Sequence, residues 1–221
     1  MTFSLVARCA DMFGVIIASS SPAVAARCAH ARAGVGAVAT QNITDPSLGP
    51  RILDSMAAGL SADAALAEAI KASPYGAYRQ LLVIGAEGGA AMHSGAQALG
   101  LVESIAGKRC AAAGNLLGHA DVPAAMVKAF ESAAGEFGER LMAALRAGLA
   151  RGGEAGPIHS AGLLIVREVS WPIVDLRVDW NQDPVGALGD LWALYAPQIE
   201  DYVRRALNPM AAPKFGVPGN L

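Results

Sequence analysis

Cysteines are scarce in this sequence of 221 residues, which has only three. Cys9, Cys28 and Cys110 lie far apart, so they predict neither a disulfide framework nor a Cys-x-x-Cys metal motif. Isolated cysteines are typical of small buried side chains in a reducing compartment, and we therefore expect a cytoplasmic protein. No positively charged segment precedes the first apolar stretch, which Arg8 interrupts, so no signal peptide is expected.

Basic residues are also few. The sequence has 17 Lys and Arg residues against 19 Asp and Glu residues, and its formal net charge is −2 at pH 7. The basic residues form no cluster, which argues against nucleic-acid binding because that binding depends on an electropositive surface. No apolar stretch of about 18 residues is free of charges or Gly/Pro breaks, so we predict no membrane-spanning helix and no membrane partner.

Apolar residues, in contrast, make up 53% of the sequence and occur in short runs. Paired strand-like runs predict three β-hairpins, because each pair flanks a turn: Thr2–Arg8 with "FGVIIASSS", Arg79–Gly85 with Ala90–Ser94, and "AGLLIVREV" with "IVDLRVDW". Single strands are predicted at Gly34–Gln41 and within "KRCAAAGNLLG".

Helical segments separate the predicted hairpins. One pair of helices is predicted on either side of Gly59, a second pair over Val122–Ala150 with a break near Gly135, and a final helix over Pro184–Leu207. The segment after Pro22 is compatible with either a short helix or a loop.

The order of these elements predicts the fold class. Strand pairs that alternate with helix pairs favour an α+β fold with antiparallel sheets. Two such sheets packed face to face, each covered by helices, give a four-layer αββα sandwich. We expect residues 1–208 to form a single domain and residues 209–221 to form an irregular tail.

Cofactor and metal motifs are weak. "GVGAVA" (Gly34–Ala39) matches the spacing of a dinucleotide fingerprint, but it opens a strand rather than a helix, so NAD binding is rejected. The four histidines never occur in HxH or HxxxH spacing, and only His119, ahead of a helix, is retained as a candidate. We predict no cofactor and no metal.

The "DLRVD" stretch places Asp175, Arg177 and Asp179 on one face of a strand. This polar face can orient a substrate, or it can be an ion-paired surface at a sheet edge. Two carboxylates can also bind a hard cation, but no third oxygen ligand is evident nearby.

The other candidate site is at Thr2. Initiator methionine is often removed before a small residue, and a terminal Thr carries a hydroxyl nucleophile and an α-amine base in one residue. An ordinary strand start has almost the same sequence. The first hairpin brings Thr2 close to Ser19–Ser21, whose hydroxyls either line a cleft or complete a turn. Gly114–Asn115 offers the donors of an oxyanion hole, or an ordinary turn.

Several of these stretches occur together, in order, between Thr2 and about Asp183: "MTFSLVAR", "FGVIIASSS", "ARAGVGAVATQ", "GPRILDSMAAGLSADAAL", Gly114–Asn115 and "VDLRVD". Together they resemble the bacterial and archaeal family called domain of unknown function 1028. Members of that family resemble the amino-terminal-nucleophile hydrolases in fold.

The resemblance implies a mechanism as well as a fold. Thr2 would be the nucleophile, and its α-amine, which titrates at roughly pH 7.7–8.0, would take the hydroxyl proton. Asn115 or a backbone N–H would hold the oxyanion. This chemistry requires the removal of Met1. The other implied or candidate substrate contacts are Arg8, Ser19, Thr40, Gln41 and the face of Asp175, Arg177 and Asp179.

Two functions are therefore predicted as alternatives. The first is hydrolysis of a small amide or another C–N bond by Thr2. The second is a non-catalytic small-molecule-binding or assembly protein on the same scaffold. The apolar final helix and the proline-containing tail favour a homodimer in either case.

Overall fold

The computed structural model describes residues 2–213. The strands are β1 (Thr2–Cys9), β2 (Met12–Ser19), β3 (Ala29–Arg32), β4 (Gly36–Asn42), β5 (Arg79–Gly85), β6 (Ala90–Ser94), β7 (Glu103–Ala106), β8 (Cys110–Asn115), β9 (Ser160–Val166) and β10 (Val174–Val178). The α-helices are α1 (Val24–Cys28), α2 (Leu48–Ala57), α3 (Ala62–Ala72), α4 (Val122–Ser132), α5 (Phe137–Ala150), α6 (Pro184–Tyr195) and α7 (Ile199–Leu207).

The strands form two antiparallel sheets. The large sheet has the order β10-β9-β2-β1-β8-β7, and the small sheet has the order β3-β4-β5-β6. The three predicted hairpins are confirmed as β1–β2, β5–β6 and β9–β10. Because β1 pairs with both β2 and β8, it lies in the interior of the large sheet.

Helices cover the outer face of each sheet. On the small sheet, α2 and α3 pack through Ile52 and Leu66 against Leu81. On the large sheet, the helices of the second half of the chain share one apolar core with β1, in which Leu141 and Trp192 belong to the same cluster as Phe3. The predicted four-layer αββα sandwich is confirmed.

The two sheets also pack against each other through a buried apolar layer. Its members alternate along the strands of both sheets and include Val6, Val15, Ala39, Leu82 and Ile84. Because successive side chains point to opposite faces of a sheet, every second residue lies between the two sheets and the residues in between lie under the helices.

Local signals set several helix ends as expected. The Ser61 hydroxyl caps α3 by accepting a hydrogen bond from Ala64 N at 3.2 Å. The break predicted near Gly135 separates α4 from α5, and Gly135 has φ +98°, a conformation that favours glycine.

The prediction of a single final helix over Pro184–Leu207 is wrong. It is two helices, α6 and α7, joined by a turn of 3₁₀-helix at Ala196–Gln198. Pro197 lies within this turn and has no N–H to continue the α-helical ladder. Of the predicted tail, Pro209–Ala211 form another short 3₁₀-helix, and residues 214–221 lie outside the described part of the chain.

Three further boundaries differ from expectation. The segment after Pro22 contains both a helix, α1, and a strand, β3. The strand predicted from Gly34 begins at Gly36, because Gly34 adopts φ +71° in the turn that precedes β4. Strand β7 was not predicted; it lies at the edge of the large sheet and is largely exposed, so it lacks an apolar alternation.

Among residues 2–213, no helix is long and apolar enough to cross a membrane.

Candidate active site at the amino end of the first strand

Thr2 begins β1 and is almost completely buried, with 4% of its surface exposed. It lies directly opposite Asn115 of β8, and its Oγ1 is 3.3 Å from Ser19 Oγ at the end of β2. Ser19 Oγ also accepts a hydrogen bond from Ser21 N at 3.1 Å. The sheet therefore brings three of the predicted site residues together in neighbouring strands.

The row of polar residues continues into the next strand. Ser19 pairs with Ser160 of β9, so four adjacent strands each have a hydroxyl or amide side chain at this edge of the sheet, where β1 and β9 begin and β2 and β8 end. The Ser160 hydroxyl donates to Ser21 O at 2.6 Å and accepts from Val24 N at 3.2 Å. These bonds fix the segment that leads from β2 into α1, which forms one wall of the site.

Two glutamines from the small sheet face this row. Gln41 Nε2 donates to Gln80 Oε1 at 2.8 Å, and Gln41 Oε1 accepts from the Ser4 hydroxyl at 2.8 Å. Gln80 Nε2 in turn donates to Gly114 O at 3.0 Å, immediately before Asn115. We call Ser4, Gln41, Gln80 and Asn115, all fully buried, the polar layer.

Asn115 connects the polar layer to Thr2. Its Nδ2 donates to Gln80 Oε1 at 3.0 Å, which leaves a second N–H on the same nitrogen, and its Oδ1 has no hydrogen-bond partner among residues 2–213. The next residue, Leu116, has φ +49°, a left-handed conformation that costs a non-glycine residue about 1–2 kcal/mol. Strain of this kind persists where the surrounding structure fixes it, here directly beside a candidate site.

A cavity of about 350 Å³ opens beside Thr2. Hydroxyl, amide, thiol and guanidinium groups share its lining with a few apolar side chains: Thr2, Ser19, Ser21, Val24, Arg27, Cys28, Asn42, Ile43, Thr44 and Pro46. A volume of this order suits a small ligand. Burial raises the pKa of Cys28, and a hydrogen bond with Thr44 only partly opposes that effect, so Cys28 is a neutral thiol rather than a competing nucleophile.

A carboxylate that the sequence did not single out lies at the same end of β1. Glu154 Oε1 accepts a hydrogen bond from Ser20 N at 2.9 Å, while Oε2 has no hydrogen-bond partner among the described residues. Glu154 is 6% exposed, and burial is the main cause that raises its pKa; the hydrogen bond from Ser20 and the proximity of His159 lower it.

The other predicted contacts lie away from Thr2. Arg8 is six residues along β1, which places it roughly 20 Å from Thr2, and its Nε donates to Ala10 O in the turn after the strand. Thr40 precedes Gln41 and therefore points to the opposite face of the small sheet, where its hydroxyl donates to Asp45 O. Arg8 and Thr40 are not brought to the candidate site.

The "DLRVD" face is also separate. Strand β10 is at the far edge of the large sheet, three strands and roughly 14 Å from β1. Arg177 donates two hydrogen bonds to the Asp175 carboxylate, each at 2.7 Å, and both side chains are exposed. Asp179 O accepts from Ala23 N at 2.9 Å. The geometry is that of an ion-paired sheet edge.

Comparison with known proteins places the chain in a family. The family model described as "family of unknown function (DUF1028)" matches residues 2–188. The chain belongs to this family.

A solved structure agrees with this assignment. A crystal structure of a protein from Silicibacter pomeroyi, described with the DUF1028 family model, has a TM-score of 0.85 and 28% sequence identity, over 92% of this chain and 90% of that chain. Anbu, the ancestral β-subunit from Yersinia bercovieri, has a TM-score of 0.41 and 10% identity, over 90% of this chain and 97% of that chain. No curated protein matches the sequence.

Several residues of this DUF1028 site were missed in the sequence, among them Ser4, Gln80, Glu154 and Ser160. Gln80 is the polar exception in "RQLLVIG", at a position in phase with the buried Leu82 and Ile84, so the alternation of β5 carried a usable signal. Glu154 carried no signal, because it lies in the loop "RGGEAGP" and reaches Thr2 only through the fold. Among residues 2–213, no group of three or more His, Cys, Asp or Glu side chains could hold a metal ion.

Proposed function

We propose that this DUF1028 protein is a hydrolase of small amides or other C–N bonds, and that Thr2 becomes its amino-terminal nucleophile when Met1 is removed. The observation that carries the proposal is the position of Thr2. It begins an interior strand of an αββα sandwich, it is buried, and it lies beside a cavity. Amino-terminal-nucleophile hydrolases, which the family resembles in fold, place their nucleophile at the start of the first strand.

In this mechanism the Thr2 hydroxyl attacks the carbonyl carbon of the substrate. The Thr2 α-amine accepts the hydroxyl proton, directly or through a water molecule, and later delivers it to the leaving nitrogen. Ser19 Oγ, 3.3 Å from Thr2 Oγ1, keeps the hydroxyl in place. Water then hydrolyses the ester that remains on Thr2.

Asn115 is the proposed oxyanion donor. Its Nδ2 already donates one N–H to Gln80, so the amide plane is fixed before a substrate arrives. The second N–H on the same nitrogen is available for the developing oxyanion. A donor fixed in advance costs no reorganisation during the reaction, and removal of one such donor typically costs 10²–10³-fold in kcat.

The character of the cavity distinguishes this proposal from a non-catalytic binding protein. A filled, apolar environment around Thr2 would favour the binding protein, whereas a cleft with convergent polar groups favours the enzyme. Thr2, Ser19, Ser21 and Thr44 are polar residues that line the cavity, which supports catalysis.

The experiment uses a chain that begins at Thr2, released from a cleavable amino-terminal fusion. A β-lactone probe should acylate Thr2 Oγ1: the ring C–O bond breaks, an ester forms, and the proton moves to the released alkoxide. Mass spectrometry should find the adduct on Thr2, and the adduct should be absent from Thr2→Ala. Ser132→Ala is the control, because it removes a hydroxyl at the end of α4 that donates only to carbonyl groups of its own helix.

Two results would contradict the proposal. Intact mass spectrometry of the protein from its native host could find Met1 retained on every molecule. Alternatively, the chain that begins at Thr2 could be acylated no faster than Thr2→Ala. A ligand that raises the melting temperature without any acylation would then favour the binding protein.

A homodimer remains a prediction. Leu191 and Leu194 on α6 and Leu207 on α7 are exposed, and Leu194 is 68% exposed. Burial of these side chains against a second copy would remove apolar surface from water. Light scattering during size-exclusion chromatography should give twice the mass of one 22.5 kDa chain, and the mass of a single chain at high concentration would contradict the prediction.

A further inference from the structure

A short segment of chain lies in line with β1, just ahead of its first residue. Ala155 N donates to Leu116 O at 2.9 Å and Gly118 N donates to Gly153 O at 2.9 Å, so Glu154 pairs with Leu117 in an antiparallel bridge. These bonds extend the pairing of β8 beyond Asn115.

The segment uses the edge of β8 that β1 uses. The opposite edge of this extension is occupied, because Leu116 N and Leu117 N donate to Leu99 O and Leu101 O. Since Thr2 pairs with Asn115 and Glu154 pairs with Leu117, Glu154 is two positions ahead of Thr2 along the same line. At the rise of a strand, this puts the two Cα atoms roughly 7 Å apart.

The side chain of Glu154 crosses toward the other neighbour of β1. Its Oε1 accepts from Ser20 N, and Ser20 follows Ser19, the residue that lies beside Thr2 at the end of β2. The carboxylate is therefore bounded by the ends of β8 and β2, in front of the first residue of β1. In a chain without Met1, the α-nitrogen of Thr2 is the first atom of β1 and lies on the side of the Thr2 Cα that is nearer to Glu154 along this line.

One oxygen of this carboxylate lacks a partner. Glu154 Oε2 makes no hydrogen bond to any residue from 2 to 213, although the residue is only 6% exposed. A buried carboxylate without compensation is costly, and a nearby cation that donates a hydrogen bond removes most of that cost. Burial raises the pKa of Glu154, while the hydrogen bonds from Ser20, the positive charge of the chain's amino terminus and His159 lower it.

We propose that Glu154 is a positioning residue that accepts a hydrogen bond from the α-ammonium group of Thr2. The inference rests on the proposed function, because it needs a chain that begins at Thr2. Held by Oε2, the nitrogen lies beside Thr2 Oγ1 instead of rotating away. The negative charge also stabilises the protonated amine, which makes the amine a stronger base for the hydroxyl proton.

Other titratable groups lie near Glu154, and none of those described donates a hydrogen bond to its Oε2. His159 is stacked on Trp180 with 4.3 Å between ring centroids, and Asp183, which shares a small cavity with Glu154, caps α6 by accepting from Gly186 N at 3.0 Å.

Arg151, three residues before Glu154, already binds a carboxylate. It pairs with Asp121 at 2.6 Å and also contacts His119. Neither Arg151 nor His159 makes a hydrogen bond to Glu154 Oε2, which has no hydrogen-bond partner within residues 2–213. The inference assigns the α-ammonium group of Thr2 to this oxygen.

The test measures the pKa of the Thr2 α-amine directly and needs no substrate. A chain that begins at Thr2 is labelled with trace acetic anhydride across a pH series and digested with trypsin. The peptide Thr2–Arg8 contains no Lys, so its acetylation after hydroxylamine treatment reports only the α-amine. Glu154→Gln keeps an acceptor for Ser20 N but loses the charge, and we expect the amine pKa to fall by about 1 unit or more.

Two further variants make the result specific. Glu103→Gln removes one charge from an exposed position on β7 and should leave the amine pKa unchanged. Glu154→Asp keeps the charge and should retain most of the raised pKa. An unchanged amine pKa in Glu154→Gln overturns the inference, because the charge of Glu154 then has no effect on the amine. The same fall in Glu154→Gln and Glu154→Asp also overturns it, because a change in packing rather than in charge would then lower the pKa.

This outcome can be told apart from failure of the proposed function. If the amine pKa depends on Glu154 but the β-lactone does not acylate Thr2, the inference stands and the hydrolase is rejected. If acylation occurs while the amine pKa is insensitive to Glu154, the hydrolase stands and the inference is rejected.

Discussion

The space between the two sheets has different chemistry at its two ends. Over most of its length, side chains such as Val6, Val15 and Leu82 fill it with an apolar layer. At the end where β1 begins, the same strands contribute the polar layer, with Ser4 two residues before Val6 and Gln80 two residues before Leu82.

The apolar layer stabilises the fold, whereas the polar layer orients the candidate site. Apolar side chains stabilise the sandwich by their removal from water, whereas buried amides must first recover the hydrogen bonds that they lose with water. Gln80 does so by donating to Ser94 and Gly114 and accepting from Gln41 and Asn115. A layer that is costly to bury, and that is joined by hydrogen bonds while Asn115 Oδ1 has no partner among the described residues, is best explained by the chemistry that it orients.

The largest effect on stability is expected in the apolar layer. Leu82→Ala should lower the free energy of unfolding by about 2–5 kcal/mol, because the fully buried side chain leaves a cavity between the sheets. Urea denaturation measures the change. Leu60→Ala, at a position that is 41% exposed, should change it by no more than about 0.5 kcal/mol. Equal effects of the two substitutions would refute the role given to the apolar layer.

A smaller effect on stability is expected in the polar layer, together with a loss of reactivity. Gln80→Leu leaves Gly114 O and the Asn115 amide without their partner and should cost about 1–3 kcal/mol. It should also slow the acylation of Thr2 by the β-lactone, since Asn115 is no longer held. Gln97→Leu, an exposed change of the same kind, is the control. Unchanged acylation in a folded Gln80→Leu protein would show that the polar layer does not orient the site.

The smallest effect is expected at the edge of the large sheet. Arg177→Ala removes an exposed ion pair with Asp175 and should change the free energy of unfolding by no more than about 1 kcal/mol. It should not alter acylation of Thr2, because β10 is three strands away. A clear loss of acylation would return the Asp175–Asp179 face to the candidate site.

Local patterns in the sequence predicted the layers well. The alternation of β1 and β5 and the glycine break near Gly135 are properties of short segments, so they survive into the structure. The division between α6 and α7 was also signalled, by Pro197, but the apolar composition around it outweighed that signal in the prediction. Strand β7 had no local pattern, because an exposed edge strand buries no face.

The site was predictable only in part. The first hairpin implied that Thr2 and Ser19 lie together, and Gly114–Asn115 was a candidate oxyanion hole from its residue types, a role that the family resemblance also implied for Asn115. Glu154 could not be found in this way, since it is brought to β1 by a bridge to Leu117 rather than by any periodicity. Arg8 and Thr40 show the converse: each is near a site residue in sequence, but strand length and strand pleat carry it elsewhere.

The segment ahead of β1 has a practical consequence for the preparation of this protein. Because Gly153 and Ala155 already occupy the edge of β8 beyond Asn115, residues added before Thr2 cannot lengthen β1 within the sheet. They must leave the sheet at this point or displace Glu154. An amino-terminal purification tag that is left in place therefore alters the site, and ligand screens on tagged and untagged protein test two different forms of it.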